Sequence, residues 1–298
     1  MPKILILGAT GYLGKRLADV LVRSGQHRVY GIARNQAKAQ SLTAAEVIPV
    51  ICPNPVGEPE AYLNAIREHH IDAVVDVAGA NQDSEKFLGD VQLIGQERLS
   101  SEEPVNDLDV AGRSANTQPP ALVAWRTDLE NSILAASDTL DVAIVRPALI
   151  YGRESTIWTP FILPLLQATR IGNQNTVEIP LRANAKPGLV HVDDVATGFK
   201  CAIEKLSLIN GGSTYPVFDL ATSQESMQGI FNALTGAWEF RGRYELVGSG
   251  DNLFAEAMST TMRGSSDRAK QLLGWEPTRM NGFIANMDVY AAAFASQH

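Results

Sequence analysis

The hydrophobic pattern of the first 80 residues alternates between short apolar runs and apolar residues at helical spacing. Residues 4–7 form an unbroken apolar run, which is typical of a strand buried on both faces of a parallel sheet. The same alternation continues through a helix from residue 12, strands at 27–33, 46–51 and 72–77, and helices at 36–44 and 58–70. It predicts an α/β fold with a doubly wound parallel sheet.

The pattern is harder to interpret over residues 81–118, where polar residues dominate. A strand at 91–94 or 107–111 and a flap over the site are the alternatives. Beyond them we expect helices at 122–137 and 160–169, a strand at 142–145, and a strand that runs into a helix over 188–206. Asp193 or Asp194 is expected to cap that helix. A last short helix is opened by Ser265, Ser266 and Asp267 and closed by Gly274.

Three glycines separate the first strand from the first helix, within the sequence GATGYLG at residues 8–14. Gly8 permits a tight bend, Gly11 leaves room for a pyrophosphate to approach the backbone, and Gly14 lets helix and strand pack closely. The free amides at the helix start then face the phosphates. We therefore predict a dinucleotide site at Gly8, Thr10, Gly11, Tyr12, Leu13 and Gly14. The alternative is an ordinary turn that binds nothing.

The end of the second strand bears on the choice of dinucleotide. Arg34 lies about twenty residues beyond the glycines, where a guanidinium can receive a 2′-phosphate. This favours NADP, with NAD as the alternative, although Arg34 is also consistent with a solvated residue at a helix start. The fourth strand ends in small residues, and we expect Ala78 and Gly79 to line the cofactor.

Composition excludes several classes of function. The 298 residues carry a formal net charge of −8 without a basic stripe, so nucleic acid is not expected as a partner. Cys52 and Cys201 lack metal-ligand spacing, and the pair His69 and His70 lacks a further ligand, so no metal site is predicted. No signal peptide or membrane-spanning run is evident, and we expect a cytoplasmic protein with no membrane partner.

Four landmarks occur together in one order: GATGYLG at residues 8–14, RPALIYG at 146–152, LVHVDDVA at 189–196 and LLGWEP at 272–277. They resemble those of the extended short-chain dehydrogenase/reductase family, which includes nucleotide-sugar epimerases and dehydratases. The resemblance implies a Rossmann-type domain at residues 1–155, to which 186–207 return, and a small C-terminal α/β substrate lobe at 156–185 and 208–298. It also implies that Pro147, Ala148 and Leu149 lie beside the nicotinamide.

The family's Tyr-x-x-x-Lys pair is missing from this chain. When Glu130 is placed on the family's usual glutamate, Arg126 falls at the lysine and Leu122 at the tyrosine. Arg126 is then expected to bind the ribose, and it is one of two catalytic candidates with Tyr151. The alternative for Arg126 is a surface residue paired with Glu130. The candidate substrate contacts are Trp125, Tyr151, Arg153 and His191.

These residues predict an NADP-dependent oxidoreductase, or an epimerase/dehydratase-like enzyme, that acts on a small organic substrate in secondary metabolism. Two alternatives remain open because the tyrosine is absent. One is a non-redox isomerase or cyclase on the same fold, and the other is an NmrA-like protein that senses dinucleotides without turnover. A homodimer is compatible with the sequence.

Overall fold

The chain opens with half of a doubly wound sheet. The computed structural model describes residues 1–78, 101–105, 122, 126–172, 175–210 and 214–298. Four parallel strands lie in the order β3-β2-β1-β4, and three helices alternate with them. The bounds are β1 Lys3–Leu7, α1 Tyr12–Arg23, β2 Arg28–Ala33, α2 Gln36–Ala44, β3 Ile48–Ile51, α3 Glu60–His69 and β4 Ala73–Asp76. The prediction of a Rossmann-type α/β fold is confirmed.

The later elements form smaller sheets and the remaining helices. Strand β6 pairs with β10, β9 pairs with β7 and β11, β8 with β12, and β5 with β13. The strands are β5 Ser101–Val105, β6 Ile144–Pro147, β7 Leu149–Tyr151, β8 Thr176–Ile179, β9 Gly188–His191, β10 Val217–Leu220, β11 Ser223–Gln224, β12 Arg243–Leu246 and β13 Met262–Gly264. The helices are α4 Arg126–Ala135, α5 Thr159–Arg170, α6 Val192–Asn210, α7 Met227–Ala237, α8 Leu253–Met258, α9 Asp267–Leu273 and α10 Met287–Ala295.

Among the described residues, two large apolar cores and a smaller cluster beside the first hold these elements together. The first surrounds β1 and joins α1, α2 and α6 on one face of the sheet, while α3 covers the opposite face. The second lies among α5, α7, α8 and α10. Strand β10 and helix α9 pack into the first core, although both belong to the segment 208–298 that we expected to form the substrate lobe. The proposed domain boundaries therefore stay a prediction, with these two elements placed beside the Rossmann-type half.

Local backbone geometry explains where the predicted bounds shift. Strand β3 starts at residue 48 and not at 46, because Glu46 adopts a left-handed φ of 61°. Helix α3 starts after Pro59 and ends at His69, because the next residue, His70, is also left-handed. Helix α2 has the predicted bounds, and the Asn35 side chain caps it by accepting from the Lys38 amide at 2.9 Å. The candidate strands at 91–94 and 107–111 lie outside the described residues.

Among the helices that the structure describes, none combines the length and the hydropathy needed to cross a lipid bilayer.

Candidate functional site

The turn between β1 and α1 is built on two glycines that the fold itself requires. Gly8 has a φ of 81°, and a Cβ there would lie 2.7 Å from the Ala78 backbone at the end of β4. A Cβ on Gly14 would lie 2.0 Å from the Gly8 carbonyl oxygen. Real side chains never approach so closely, so these positions let the strand, turn and helix pack in direct backbone contact.

Gly11 differs from the other two glycines. A Cβ on Gly11 would meet only the Gly8 carbonyl oxygen, at 3.1 Å. Gly11 is exposed and is the N-cap of α1, and no side chain caps that helix start. Among the described residues no side chain bonds to the first amides of α1, which carry the positive end of the helix dipole. This is the geometry of an anion site made of backbone amides.

The carboxyl end of β4 borders the same turn. Asp76 is buried, and its Oδ1 accepts a hydrogen bond from the Ala78 amide at 2.8 Å. Burial raises the pKa of Asp76 to about 6, against the opposing effect of this hydrogen bond. Ala78 thus lies against Gly8 as the site requires, whereas Gly79 lies outside the described residues.

At the end of β2, Arg34 is exposed beside the N-cap of α2. Lys15 on α1 and Lys38 on α2 are exposed as well. The guanidinium of Arg34 thus faces solvent at the edge where the sequence analysis expects a 2′-phosphate.

The segment RPALIYG begins with a buried cation. Arg146 on β6 contacts Asp219 on β10 through Nε to Oδ1 at 2.9 Å, and Glu130 on α4 through Nη1 to Oε2 at 3.5 Å. All three side chains are almost fully buried. Glu130 therefore makes its ion pair with Arg146, and Arg126 lies one turn earlier on the same helix, half-buried at its first position.

The next residues of that segment cross between the two cores. The Ala148 amide donates to the Leu220 carbonyl at 2.8 Å, and Pro147 stands opposite Leu220 in the β6–β10 register. Pro147 and Leu149 are half-buried, whereas Ala148 is buried. Pro147, Ala148 and Leu149 therefore lead from the end of β6 into β7, and the cofactor prediction depends on this stretch.

Tyr151 lies inside the second core. Its ring stacks on Phe283 with centroids 4.7 Å apart and meets the edges of His191 and Tyr290 at 5.3 Å. The residue is fully buried, and this burial raises the pKa of its hydroxyl far above the ordinary value. The geometry gives Tyr151 a packing role and does not support the expectation that it donates a proton or contacts substrate.

The side chain of His191 caps the start of α6, where we expected Asp193 or Asp194 to do so. Its Nδ1 accepts from the Asp193 amide at 3.2 Å, and burial lowers the pKa of the imidazole to about 4. Asp194 accepts instead from the amides of Thr278 and Arg279, each at 2.9 Å. The prediction that an aspartate caps the helix is therefore wrong, because both carboxylates have tertiary partners.

Arg153 is half-exposed and pairs with Asp193, with Nη2 at 2.8 Å from Oδ2. This ion pair holds the pKa of the Asp193 carboxyl below its usual range despite partial burial of that group, and it raises the pKa of Arg153. Of the other expected substrate contacts, Trp125 lies outside the described residues.

Comparison with known proteins finds a family match within the nucleotide half of the chain. Residues 4–99 match the model of the NAD dependent epimerase/dehydratase family. The resemblance to extended short-chain dehydrogenases/reductases is thereby confirmed for this part of the chain. No curated protein matches the sequence.

Solved structures extend the likeness to the whole chain at the level of the fold. UDP-glucose-4-epimerase from Stenotrophomonas maltophila, with bound NAD and formylated UDP-arabinopyranose, has a TM-score of 0.71 at 17% identity and covers 100% of this chain and 98% of its own. UDP-glucose 4-epimerase from Thermotoga maritima, with UDP-glucose, scores 0.73 at 15% identity and covers 99% of each chain. The dTDP-glucose 4,6-dehydratase from Bacillus anthracis, with NAD, scores 0.74 at 12% identity and covers 100% of this chain and 98% of its own.

Two contacts that the sequence does not predict connect the glycine turn to the segment after β7. The Tyr12 hydroxyl donates to the Gly152 carbonyl, and Arg16 contacts Glu154. The partners are about 140 residues apart in sequence, and no local pattern signals such a contact. Tyr12 therefore has a side-chain partner in the protein, in addition to its expected place in the dinucleotide loop.

Proposed function

We propose that this chain is an enzyme of the epimerase/dehydratase or oxidoreductase type, which binds a nicotinamide dinucleotide and acts on a small organic substrate. The observation that carries the proposal is the exposed Gly11 at a helix start that no side chain caps. Gly8 and Gly14 are held in close contact with the protein, at 2.7 and 2.0 Å for an added Cβ, whereas Gly11 faces solvent, where a ligand can approach the backbone. The solved structures of similar fold that contain NAD support the same ligand class.

The residues around the turn fit this group. The α1 amides and Gly11 would hold the pyrophosphate, and Pro147, Ala148 and Leu149 would border the nicotinamide. Arg126 would bind the ribose and stabilise negative charge. When bound, a nicotinamide dinucleotide supplies hydride transfer. We extend the proposal to a preference for NADP, since exposed Arg34 suits a 2′-phosphate.

The source of the proton is the unusual part of this proposal. Leu122 has no exchangeable proton, and a guanidinium such as Arg126 holds its own proton at all ordinary pH values. Tyr151 is enclosed in the second core. The proton would therefore come from water or from a side chain outside the described residues. A location in the cytoplasm, a role in secondary metabolism and a homodimer belong to the same proposal.

One observation favours a second function. Leucine at the place of the family's tyrosine removes the usual acid while the glycine turn is kept, which is what a dinucleotide-sensing protein without turnover requires. Multiple turnovers of NADPH with a panel of carbonyl compounds would exclude this alternative. Binding of the dinucleotide without consumption, and with product formed from a substrate, would instead indicate a non-redox isomerase.

The test of the main proposal compares dinucleotide affinity by calorimetry in the wild type and Gly11→Asp. The new carboxylate occupies the exposed face of the turn and repels the pyrophosphate, so we expect affinity to fall at least about tenfold, or ~1.4 kcal/mol. Gly236→Asp is the matched control, because a Cβ at this position in α7 meets nothing within 4 Å. Equal affinity in Gly11→Asp and Gly236→Asp would overturn the assignment of the site.

A second titration addresses the preference for NADP. Arg34→Ser should weaken NADPH binding while leaving NADH binding unchanged, because only NADPH carries the 2′-phosphate. Lys270→Ser, which removes an exposed charge from α9, is the control. Tighter binding of NADH than of NADPH by the wild type would refute the preference without affecting the dinucleotide site itself.

A further inference from the structure

Residues 152–155, here called the junction turn, have an unusual backbone. Gly152, Arg153 and Ser155 have φ values of 92°, 55° and 45°. A left-handed conformation is costly for residues other than glycine and persists only where surrounding contacts enforce it. Two such residues within three positions mark a turn whose shape depends on its neighbours.

On one side, the junction turn is held by the first two turns of α1. The Tyr12 hydroxyl donates to the Gly152 carbonyl, and Arg16 Nη2 lies 2.7 and 2.8 Å from the two carboxylate oxygens of Glu154. Burial raises the pKa of Tyr12 well above its ordinary value, so the hydroxyl keeps the proton that it donates. Tyr12 directly follows the exposed Gly11, which belongs to the proposed pyrophosphate site.

On its other side, the junction turn contacts the second core. A Cβ on Gly152 would lie 2.1 Å from His191 Nε2, so the imidazole packs directly on the glycine. The Trp158 amide donates to the Ser155 carbonyl at 2.8 Å, and the Trp158 indole donates to the Ile150 carbonyl at 3.0 Å. His191 and Trp158 are both buried; His191 contacts the Tyr151 ring, and Trp158 contacts the Phe283 ring.

We propose that the junction turn couples the dinucleotide site to the second core, with Tyr12 and Glu154 as its positioning residues. The inference rests on the proposed function, since it takes the ligand at Gly11 to be a dinucleotide. The bound ligand would hold the first turn of α1 in place, and with it the contacts of Tyr12 and Arg16. These contacts in turn stabilise the left-handed backbone of the junction turn, against which His191 and Trp158 pack. A ligand biases a conformational equilibrium only through such a difference in contacts between states.

The experiment measures hydrogen exchange by mass spectrometry, with and without NADP, in peptides that cover residues 8–14 and 150–158. In the wild type we expect the dinucleotide to slow exchange in both peptides. In the double variant Tyr12→Phe, Glu154→Gln we expect protection to remain at 8–14 and to fall to less than half at 150–158. We also expect NADP affinity to fall about fivefold, the lower end of ordinary coupling between sites.

Two control variants separate coupling from a general loss of stability. Tyr244→Phe removes a tyrosine hydroxyl that bonds to Asn232 at 2.6 Å away from the junction turn. Arg23→Gln removes an ion pair with Asp19 on α1 itself, at 2.8 Å. Both should retain the protection by NADP at residues 150–158.

The outcomes are distinguishable. Protection at 8–14 without protection at 150–158 in the wild type would overturn the coupling and leave the dinucleotide site standing. Unchanged protection at 150–158 in the double variant would also overturn it, since Tyr12 and Glu154 would then be structural only. Absence of any protection or binding in the wild type would overturn both this inference and the proposed function.

Discussion

Replacement of Arg146 by methionine should be among the most damaging single changes in the protein. The guanidinium lies between two carboxylates, with Nε 2.9 Å from Asp219 Oδ1 and Nη1 3.5 Å from Glu130 Oε2. Arg146 is 3% exposed and Asp219 is fully buried. Arg146→Met removes the guanidinium that both buried carboxylates contact.

The expected cost is about 3–5 kcal/mol, as found when one partner of a buried ion pair is removed. A domain of this size loses roughly 2 °C or more in melting temperature per kcal/mol, so the midpoint should fall by at least about 6 °C. The measurement is urea unfolding followed by circular dichroism, with thermal unfolding in parallel.

Arg23→Met is the control because it breaks an ion pair of similar length that is exposed to solvent. Arg23 Nε lies 2.8 Å from Asp19 Oδ1, but the side chains are 78% and 49% exposed. Such a pair along a helix contributes about 0.3–0.5 kcal/mol. A loss in Arg146→Met no larger than in Arg23→Met would refute the reasoning. The triple variant Arg146→Met, Asp219→Leu, Glu130→Gln should recover much of the loss, since it removes the buried charges together.

Three further changes test the site and its titrating groups. Gly14→Ala should abolish dinucleotide binding and lower the melting temperature, because its Cβ would lie 2.0 Å from the Gly8 carbonyl oxygen. The control Gly236→Ala should be neutral or stabilising. Normal binding by Gly14→Ala would contradict the packing. Burial raises the pKa of Asp76 from 3.8 to about 6, so the contribution of this carboxyl to stability falls as the pH rises from 4 to 6. Asp76→Asn should therefore be more stable than the wild type above pH 6, by at most about 3 kcal/mol, and the absence of this gain in urea titrations would argue against the shift. Burial lowers the pKa of His191 from 6.5 to about 4, so the contribution of the imidazole falls as the pH drops from 6.5 to 4, opposite in sign to that of Asp76. The measurement is the difference in unfolding free energy between the wild type and His191→Asn, and a difference that stays constant over this range would remove the imidazole as a cause.

The nucleotide half of the fold is predictable because its signals are local. The change from strand to helix spacing across Gly8, Gly11 and Gly14 falls within one short stretch of chain, and the structure has the turn where the pattern places it. Helix α2 has its predicted bounds because Asn35 provides a cap three residues from the amide that it accepts. Such signals depend on residues a few positions apart, which is the range that a periodicity can report.

The second half depends on contacts that no local pattern reports. Asp193 and Asp194 stand where a helix cap is favoured, but their carboxylates bind Arg153 and the Thr278 amide from distant segments. Tyr151 ends a strand next to the expected nicotinamide segment, and a shift of one position along a strand decides whether a side chain faces the site or the core. Here it faces the aromatic core around Phe283.

The position of Glu130 bears on the proposed proton source. Glu130 is the residue that the resemblance equates with the family's glutamate, and it lies on α4 in contact with Arg146, at the start of the segment expected beside the nicotinamide. Residues four apart share a helix face, so Arg126 lies one turn before Glu130 on the side of that contact. Leu122 stands a further four positions earlier in the sequence. Under the proposed function, Leu122 at the place of the family's tyrosine has no exchangeable proton, so the reaction would draw its proton from another source.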